Sequence, residues 1–509
     1  MLDLGTSFLA AVERDPRALA IADGDLSLSY AEWFTRISAL TDALGQMGLR
    51  KGDHLVTAMQ NRWHNASLHW ACQLAGIIIT PVNWRVTPEE LDHALSDSGA
   101  KALFHDGSVA EAVAGSQIAP SLPTVPLDGA GGLAEMLDGS AADAIPQARA
   151  DDISLMLYTS GTTSKPKGVP RRHRAERAGA VAHVAQNLYR HGERTLGVMP
   201  LYHTMGVRSL LSSALIGGGF VCLPRFDVPG ALAAIERHGV TNLYLVPTLY
   251  HDIVHHAEFS PARVASVTKL GFAGASMTDG LLKKLSEAFK PELFVNHYGS
   301  SEIYTFTICQ DAAAKPGSAG RAALNQRIRV VPLDSTDPNA QAAPGEEGQI
   351  IATMQGDEAF EGYWNRPEAD AKAIHEGWYF TGDCGLIDED GDLFVTGRTD
   401  DMIITGGENV SPVEVESCLS LHPGVAEVAV VGLPDPRWGK VVTAFVKRSS
   451  DVTEEDLDAH CRASELSNFR RPRKYVFVRE LPRSPVGKLL RRLLVAGDYQ
   501  PEQPETAGA

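Results

Sequence analysis

The stretch Ile153 to Gly168, ISLMLYTSGTTSKPKG, decides the fold. Its first seven residues are an apolar, β-favouring run that predicts a buried strand over Ile153 to Thr159. Hydroxyls at Thr159, Ser160, Thr162, Thr163 and Ser164 follow, beside Gly161 and Gly168, with Lys165 and Lys167 close by. Backbone N–H groups, hydroxyl donors and ammonium groups together suit an anionic phosphate. The spacing differs from the GxxxxGK[ST] loop, so another class of phosphate loop is expected. Outward from it, Ile77 to Val82, Phe220 to Leu223, Val240 to Val246, Val267 to Phe272 and Leu293 to His297 read as strands. Helical patterns such as Ser29 to Leu44 lie between them, which predicts a layered α/β fold. Residues 110–148 are rich in Ala, Gly and Pro and read as a loop-rich connection. From about Arg327 short strands alternate with turns (Arg327 to Pro332, Gly348 to Met354, Leu393 to Val395), predicting a β-rich subdomain. Near Arg398 to Asp401 the pattern changes again. A helix over Ser411 to Leu421, strands over Val425 to Gly432 and Val441 to Lys447, and a helix over Glu454 to Ser464 predict a small α/β unit. The polar tail Gln500 to Ala509 is expected to fray.

A chain of 509 residues implies roughly three lobes. Its net charge of −17 argues against sequence-independent nucleic-acid binding, which needs a basic face. No apolar run is long enough to span a bilayer, and Met1 to Asp15 lacks the basic start of a secretory leader. Cys72, Cys222, Cys309, Cys384, Cys418 and Cys461 are scattered, which predicts reduced packing residues, no structural zinc and a cytoplasmic location. The basic run Arg171, Arg172, His173, Arg174 and Arg177 reads as a solvated helix face.

YTSGTTSKPKG resembles the signature of the adenylate-forming superfamily of acyl-CoA synthetases, luciferases and peptide-synthetase adenylation domains. YGSSE at 298–302, YFTGD at 379–383, GRTDD at 397–401, GGEN at 406–409 and PVGK at 485–488 resemble its later motifs, in order. The resemblance implies a large nucleotide-binding domain over residues 1–399 and a mobile domain over 400–509, hinged at Asp400. It implies that a carboxylic acid and ATP give acyl-AMP and pyrophosphate, and that CoA then takes the acyl group. Catalytic roles fall on Lys488, which bridges carboxylate and α-phosphate, on Glu302, which holds Mg2+, and on His203 at the mouth of the acyl site. The nucleotide falls to Thr159, Ser160, Gly161, Thr162, Thr163, Lys167, Tyr298, Gly299, Ser301, Asp383 and Arg398, with Asp383 on the ribose hydroxyls. The partners expected are thus a small carboxylic acid, ATP and CoA, with no nucleic acid and no membrane; a homodimer is left open. Ser164 departs from the glycine usual there.

MPLYH at 199–203, FAGASM at 272–277, RWGK at 437–440 and SNFRRPRKY at 467–475 resemble one branch, the 4-chlorobenzoate–CoA ligases. That resemblance assigns CoA to Gly406, Gly407, Glu408, Trp438, Phe469 and Arg471. It lines the acyl pocket with Ala182, His203, Thr204, Met205, Tyr244, Ala273, His297, Gly299, Tyr304 and Thr305. His297 and Tyr304 are polar where that branch is apolar, so the expected acid is not 4-chlorobenzoate but a small aryl or heteroaryl acid, hydroxylated or furan-like. The alternatives are a stand-alone enzyme loading a carrier protein, a short- or medium-chain acyl-CoA synthetase, a luciferase-like oxygenase and a silent nucleotide binder.

Overall fold

The computed structural model describes residues 2–159, 165–398, 401–406, 408–464, 466–483 and 489–502. Ser160 to Thr163, Asp400, Gly407 and Lys488, assigned roles above, lie outside them. Among the described residues the strands form three sheets. The first runs Thr124–Pro126, Ala102–His105, His54–Ala58, Ile78–Pro81, Ile153–Tyr158 and Gly168–Arg172. Its strands are parallel except the last pair, which is antiparallel. Leu55, Val56, Leu103, Phe104 and Leu155 are fully buried, as strands covered on both faces require.

The second sheet has a parallel centre: Leu19–Asp23, Gly219–Cys222, Arg194–Gly197, Asn242–Leu245, Lys269–Phe272 and Leu293–Tyr298. It continues edge-on through antiparallel strands Thr307–Cys309 and Ser318–Ala322 into Leu393–Arg398, Trp378–Ile387, Gly348–Thr353 and Ile328–Val331. The β-rich segment is therefore an extension of the central sheet. Its longest strand, Trp378–Ile387, escapes a periodicity reading because Thr381, Gly382 and Asp383 interrupt the apolar pattern.

Helix Tyr30–Gln46 matches its expected span. Ser29 and Glu32 cap it reciprocally, and Trp33, Ile37 and Leu40 pack with Phe8 and Trp70 in the core. Residues 110–148 carry short elements, including helices Ala110–Gly115 and Leu133–Leu137. No described helix is long and apolar enough to cross a membrane.

The third sheet belongs to the C-terminal unit, where Val425–Asp435 and Lys474–Glu480 flank Gly439–Arg448. Ile403, Val415, Leu419, Val430, Val442 and Leu457 form its own core. Of the tail expected to fray, Gln500–Pro501 pairs with Lys474–Glu480, and residues 503–509 lie outside the described ones. The unit rests on the larger one where Gly280 N–H donates to Ser420 Oγ at 3.5 Å. A Cβ at Gly280 would lie 2.4 Å from the Ser420 carbonyl, so only glycine permits that approach.

Candidate active site

In open α/β sheets the strands' carboxyl ends form the binding crevice, because the chain turns there and exposes backbone groups. Tyr158, Tyr244, Phe272 and Tyr298 stand at or beside such ends. The antiparallel pair Ile153–Tyr158 and Gly168–Arg172 is fastened at its end by Thr159 N–H to the Lys167 carbonyl at 3.0 Å. His93 Nε2 donates to the Pro166 carbonyl at 2.9 Å, and Tyr158 Oη donates to Asp97 at 3.0 Å. Lys167 Nζ lies 4.0 Å from the centre of the Tyr363 ring. Tyr363 Oη donates to Glu302 Oε1 at 2.7 Å. These contacts bring Lys167 and Glu302 together from segments far apart in sequence.

Glu302 is presented by a tight reversal. Ser300 N–H donates to the Ile303 carbonyl at 2.9 Å, and Phe306 N–H to that of Tyr298 at 2.8 Å. A Cβ on Gly299 would lie 2.0 Å from the Tyr304 carbonyl, so glycine is required there. Arg171 holds the Glu302 carbonyl at 2.8 Å. Glu302 Oε2 accepts no hydrogen bond among the described residues, leaving one carboxylate oxygen for a cation. One carboxylate plus waters and phosphate oxygens is how Mg2+ is commonly held. Ser301 is half-buried beside it.

Asp383 and Arg398 face each other across neighbouring strands and form an ion pair at 3.1 Å. Tyr298 Oη donates to Asp383 Oδ2 at 2.6 Å. Thr381 accepts from the Asp383 N–H at 3.0 Å. The carboxylate is thus fixed where vicinal hydroxyls could donate to it.

The residues assigned above to the acyl pocket come from several elements. Ala182, Met205, Tyr244, Ala273, His297, Tyr304 and Thr305 are all buried. His203 caps the helix Thr204–Leu215 by accepting from Met205 N–H at 3.3 Å. The rings of His183, Tyr244 and His297 lie 4.7–5.0 Å apart by centroid. Burial, aided by the Arg208 cation, holds both imidazoles well below their ordinary pKa, so they are neutral at pH 7.

Beside Tyr304 lie two buried ion pairs. Arg171 meets Glu176 at 2.7 Å, and Arg208 meets Glu358 at 3.1 Å. Tyr304 is sandwiched between the two guanidiniums, at 4.1 and 4.8 Å, and its Oη donates to Glu176 at 3.0 Å. Arg208 also donates to Thr305 Oγ1 at 2.6 Å, and Asn325 donates to Glu358 at 3.1 Å. This corrects the expectation of a solvated basic face. Arg171 and His173 are wholly buried, and Arg172 and Arg174 pair with Glu361. The alternation of strand Gly168–Arg172 turns Arg171 inward. Arg208, Glu176, Glu358, His183 and Asn187 were not foreseen. A lone arginine in the apolar helix MGVRSLLSSAL was the one available signal for Arg208.

In the C-terminal unit, Gly406 N–H donates to the Trp438 carbonyl at 2.9 Å, and Glu408 opens the next strand, Glu408–Val410. Trp438 and Phe469 are 45% and 39% exposed, unlike core aromatics. Arg471 differs from expectation: it is buried and bonded to Asp458 and Asn468. A buried guanidinium needs such partners, and so it is not presented to solvent in this conformation. The segment before Lys488 ends at Arg483, which pairs with Glu427 and bridges to Leu489. Beyond it, Arg491 grips Glu416 at 2.6 and 2.7 Å.

The family model "AMP-binding enzyme" matches residues 8–364, and "AMP-binding enzyme C-terminal domain" matches 414–488. The chain is 35% identical to a 4-chlorobenzoate–CoA ligase of an Arthrobacter species, over 97% of this chain and 95% of the relative. It is 35% identical to a feruloyl-CoA synthase of an Amycolatopsis species, over 96% and 97%. ATP-bound MatB from Rhodopseudomonas palustris superposes with a TM-score of 0.87 at 28% identity, covering 97% of this chain and 99% of that one.

Proposed function

The chain belongs to the AMP-binding enzyme family, and from that premise we propose that it is a cytoplasmic, AMP-forming ligase joining a small aryl or heteroaryl acid to CoA. The carrying observation is a pair of anchored carboxylates, Glu302 bonded to Tyr363, whose ring lies against Lys167, and Asp383 bonded to Tyr298 and paired with Arg398. The acid's carboxylate attacks the α-phosphorus of ATP; the bond to the pyrophosphate oxygen breaks, and acyl-AMP forms. The CoA sulfur then attacks the acyl carbon and AMP leaves. Both reactants of the first step are anions, so catalysis depends on fixed cations and donors that offset their repulsion. Lys167 and the hydroxyls and N–H groups of residues 159–163 take the phosphates, with Tyr298, Gly299 and Ser301 on the nucleotide. Asp383, with Arg398, takes the ribose hydroxyls. Glu302 would hold Mg2+, which supplies further charge neutralisation on the phosphates.

Lys488 supplies the cation between carboxylate and α-phosphate. Domain alternation about Asp400, between units 1–399 and 400–509, then withdraws it and presents Gly406, Gly407 and Glu408 for thioester formation. Trp438 and Phe469 offer exposed aromatic faces to the CoA adenine. His203 stands at the acyl-site mouth, within reach of Glu408 in the second pose. Incubating purified protein with ATP, Mg2+, CoA and an acid panel, with products read by mass spectrometry, tests the proposal. Aryl-CoA and AMP are expected; acyl-AMP without acyl-CoA, or turnover of fatty acids alone, refutes it. Lys488→Ala should abolish most adenylation yet leave thioester formation from supplied acyl-AMP. Equal loss in both half-reactions contradicts the alternation.

A further inference from the structure

Two nitrogens beside the residues assigned to the acyl pocket have no partner among the described residues: His183 Nε2 and His297 Nδ1. Both side chains are about 98–99% buried, where an unsatisfied polar atom is disfavoured. Their protonation follows from Asn187. Asn187 Nδ2 donates to the His183 carbonyl at 2.8 Å, which fixes the amide's orientation because a carbonyl only accepts. The same Nδ2 donates to His183 Nδ1 at 3.1 Å. His183 Nδ1 is therefore bare, and the neutral ring carries its proton on Nε2. On its other side, Asn187 Oδ1 accepts from His297 Nε2 at 3.1 Å. His297 therefore has its proton on Nε2 and a bare Nδ1. The open nitrogens, one donor and one acceptor, are those of each ring that Asn187 does not engage, in rings 5.0 Å apart.

We propose that His183 and His297, oriented by Asn187, form a hydroxyl-recognition pair, so that the preferred acid carries a hydroxyl accepting from His183 Nε2–H and donating to His297 Nδ1. The proposal rests on the ligase assignment and narrows its substrate. A furan oxygen or a methoxy group only accepts, and leaves His297 Nδ1 unpaired. A chlorine or hydrogen satisfies neither nitrogen. A second carboxylate is a poor occupant, because the nearby guanidiniums are already matched by Glu176 and Glu358 and both imidazoles are neutral. His183 and His297 thus act as specificity residues that touch substrate, and Asn187 as a positioning residue.

Pyrophosphate release tests this with matched acids: benzoate, its 2-, 3- and 4-hydroxy and methoxy derivatives, 4-chlorobenzoate, 2-furoate and terephthalate. One hydroxybenzoate should exceed its unsubstituted and methoxy counterparts in kcat/KM by about ten- to a hundredfold, mostly through KM. His183→Phe, His297→Phe and Asn187→Leu should each bring that ratio toward one. Equal rates for hydroxylated and parent acids in the wild type, the result if a trapped water fills the site, overturn the inference while leaving the ligase intact. So does a ratio that survives in folded variants. Wild-type substrate ratios decide the matter if the variants do not fold. No adenylate from any acid refutes the ligase assignment itself, and the inference with it.

Discussion

Glu358→Gln should convert the proposed acyl pocket from neutral to cationic at almost constant volume. Glu358 is fully buried, and its oxygens are taken by Arg208 at 3.1 Å and Asn325 at 3.1 Å. The substitution removes the negative charge and leaves Arg208 held by Thr305 and the face of Tyr304. Breaking a buried pair from one side typically costs about 3–5 kcal/mol, so the variant should unfold several degrees below the wild type by calorimetry. What the unpaired guanidinium gains is an attraction for anions. At an effective dielectric of ~20 and ~5 Å, a second carboxylate in the pocket would interact with it by about 3 kcal/mol, or roughly two orders of magnitude in kcat/KM. The measurement is pyrophosphate release with benzoate and terephthalate side by side. Wild type should favour benzoate by at least about tenfold, and Glu358→Gln should move the ratio toward terephthalate by up to about a hundredfold. An unchanged ratio in a folded variant, or a wild type that already prefers the dicarboxylate, would show that Arg208 and Glu358 do not set the pocket's charge.

Glu302→Gln should lower adenylation by at least about a hundredfold, and Tyr363→Phe by about tenfold, since the first removes the ligand proposed for the cation and the second only its orientation; single-turnover acyl-AMP formation reads both. Stability should fall as pH drops from about 7 toward 4. Burial holds His54 and His173 at about 4 and His69 at about 3, so below about 6.5 the unfolded chain binds protons that the native state refuses, at about 2 kcal/mol per histidine at pH 5. A melting temperature flat from pH 7 to 5 would contradict this. Gly406→Ala puts a Cβ 2.9 Å from the Trp438 ring in a left-handed conformation. It should weaken thioester formation from supplied acyl-AMP more than it weakens adenylation, measured as separate half-reactions. Arg491→Met strands the buried Glu416, and should destabilise the C-terminal unit by about 3 kcal/mol or more in urea unfolding.

The residues assigned to the nucleotide were legible in sequence because short backbone devices hold them. A strand end, a glycine that admits a carbonyl 2.0 Å from where its Cβ would be, and an Asp opposite an Arg on adjacent strands each occupy a few consecutive residues with a recognisable order. The acid half follows another logic. On helix His173–Gln186 the buried residues include His173, Glu176 and His183, polar groups at helical spacing that sequence alone assigns to solvent. They face inward because their partners arrive from elsewhere in the chain: Asn187 meets His297 across 110 positions, and Arg208 meets Glu358 across 150. A buried charge is stable only once its counter-charge is in place, so neither residue of such a pair announces its burial by itself. Where selectivity for the acid depends on these pairings, a single exchange such as Glu358→Gln can redirect the substrate while every local motif stays intact.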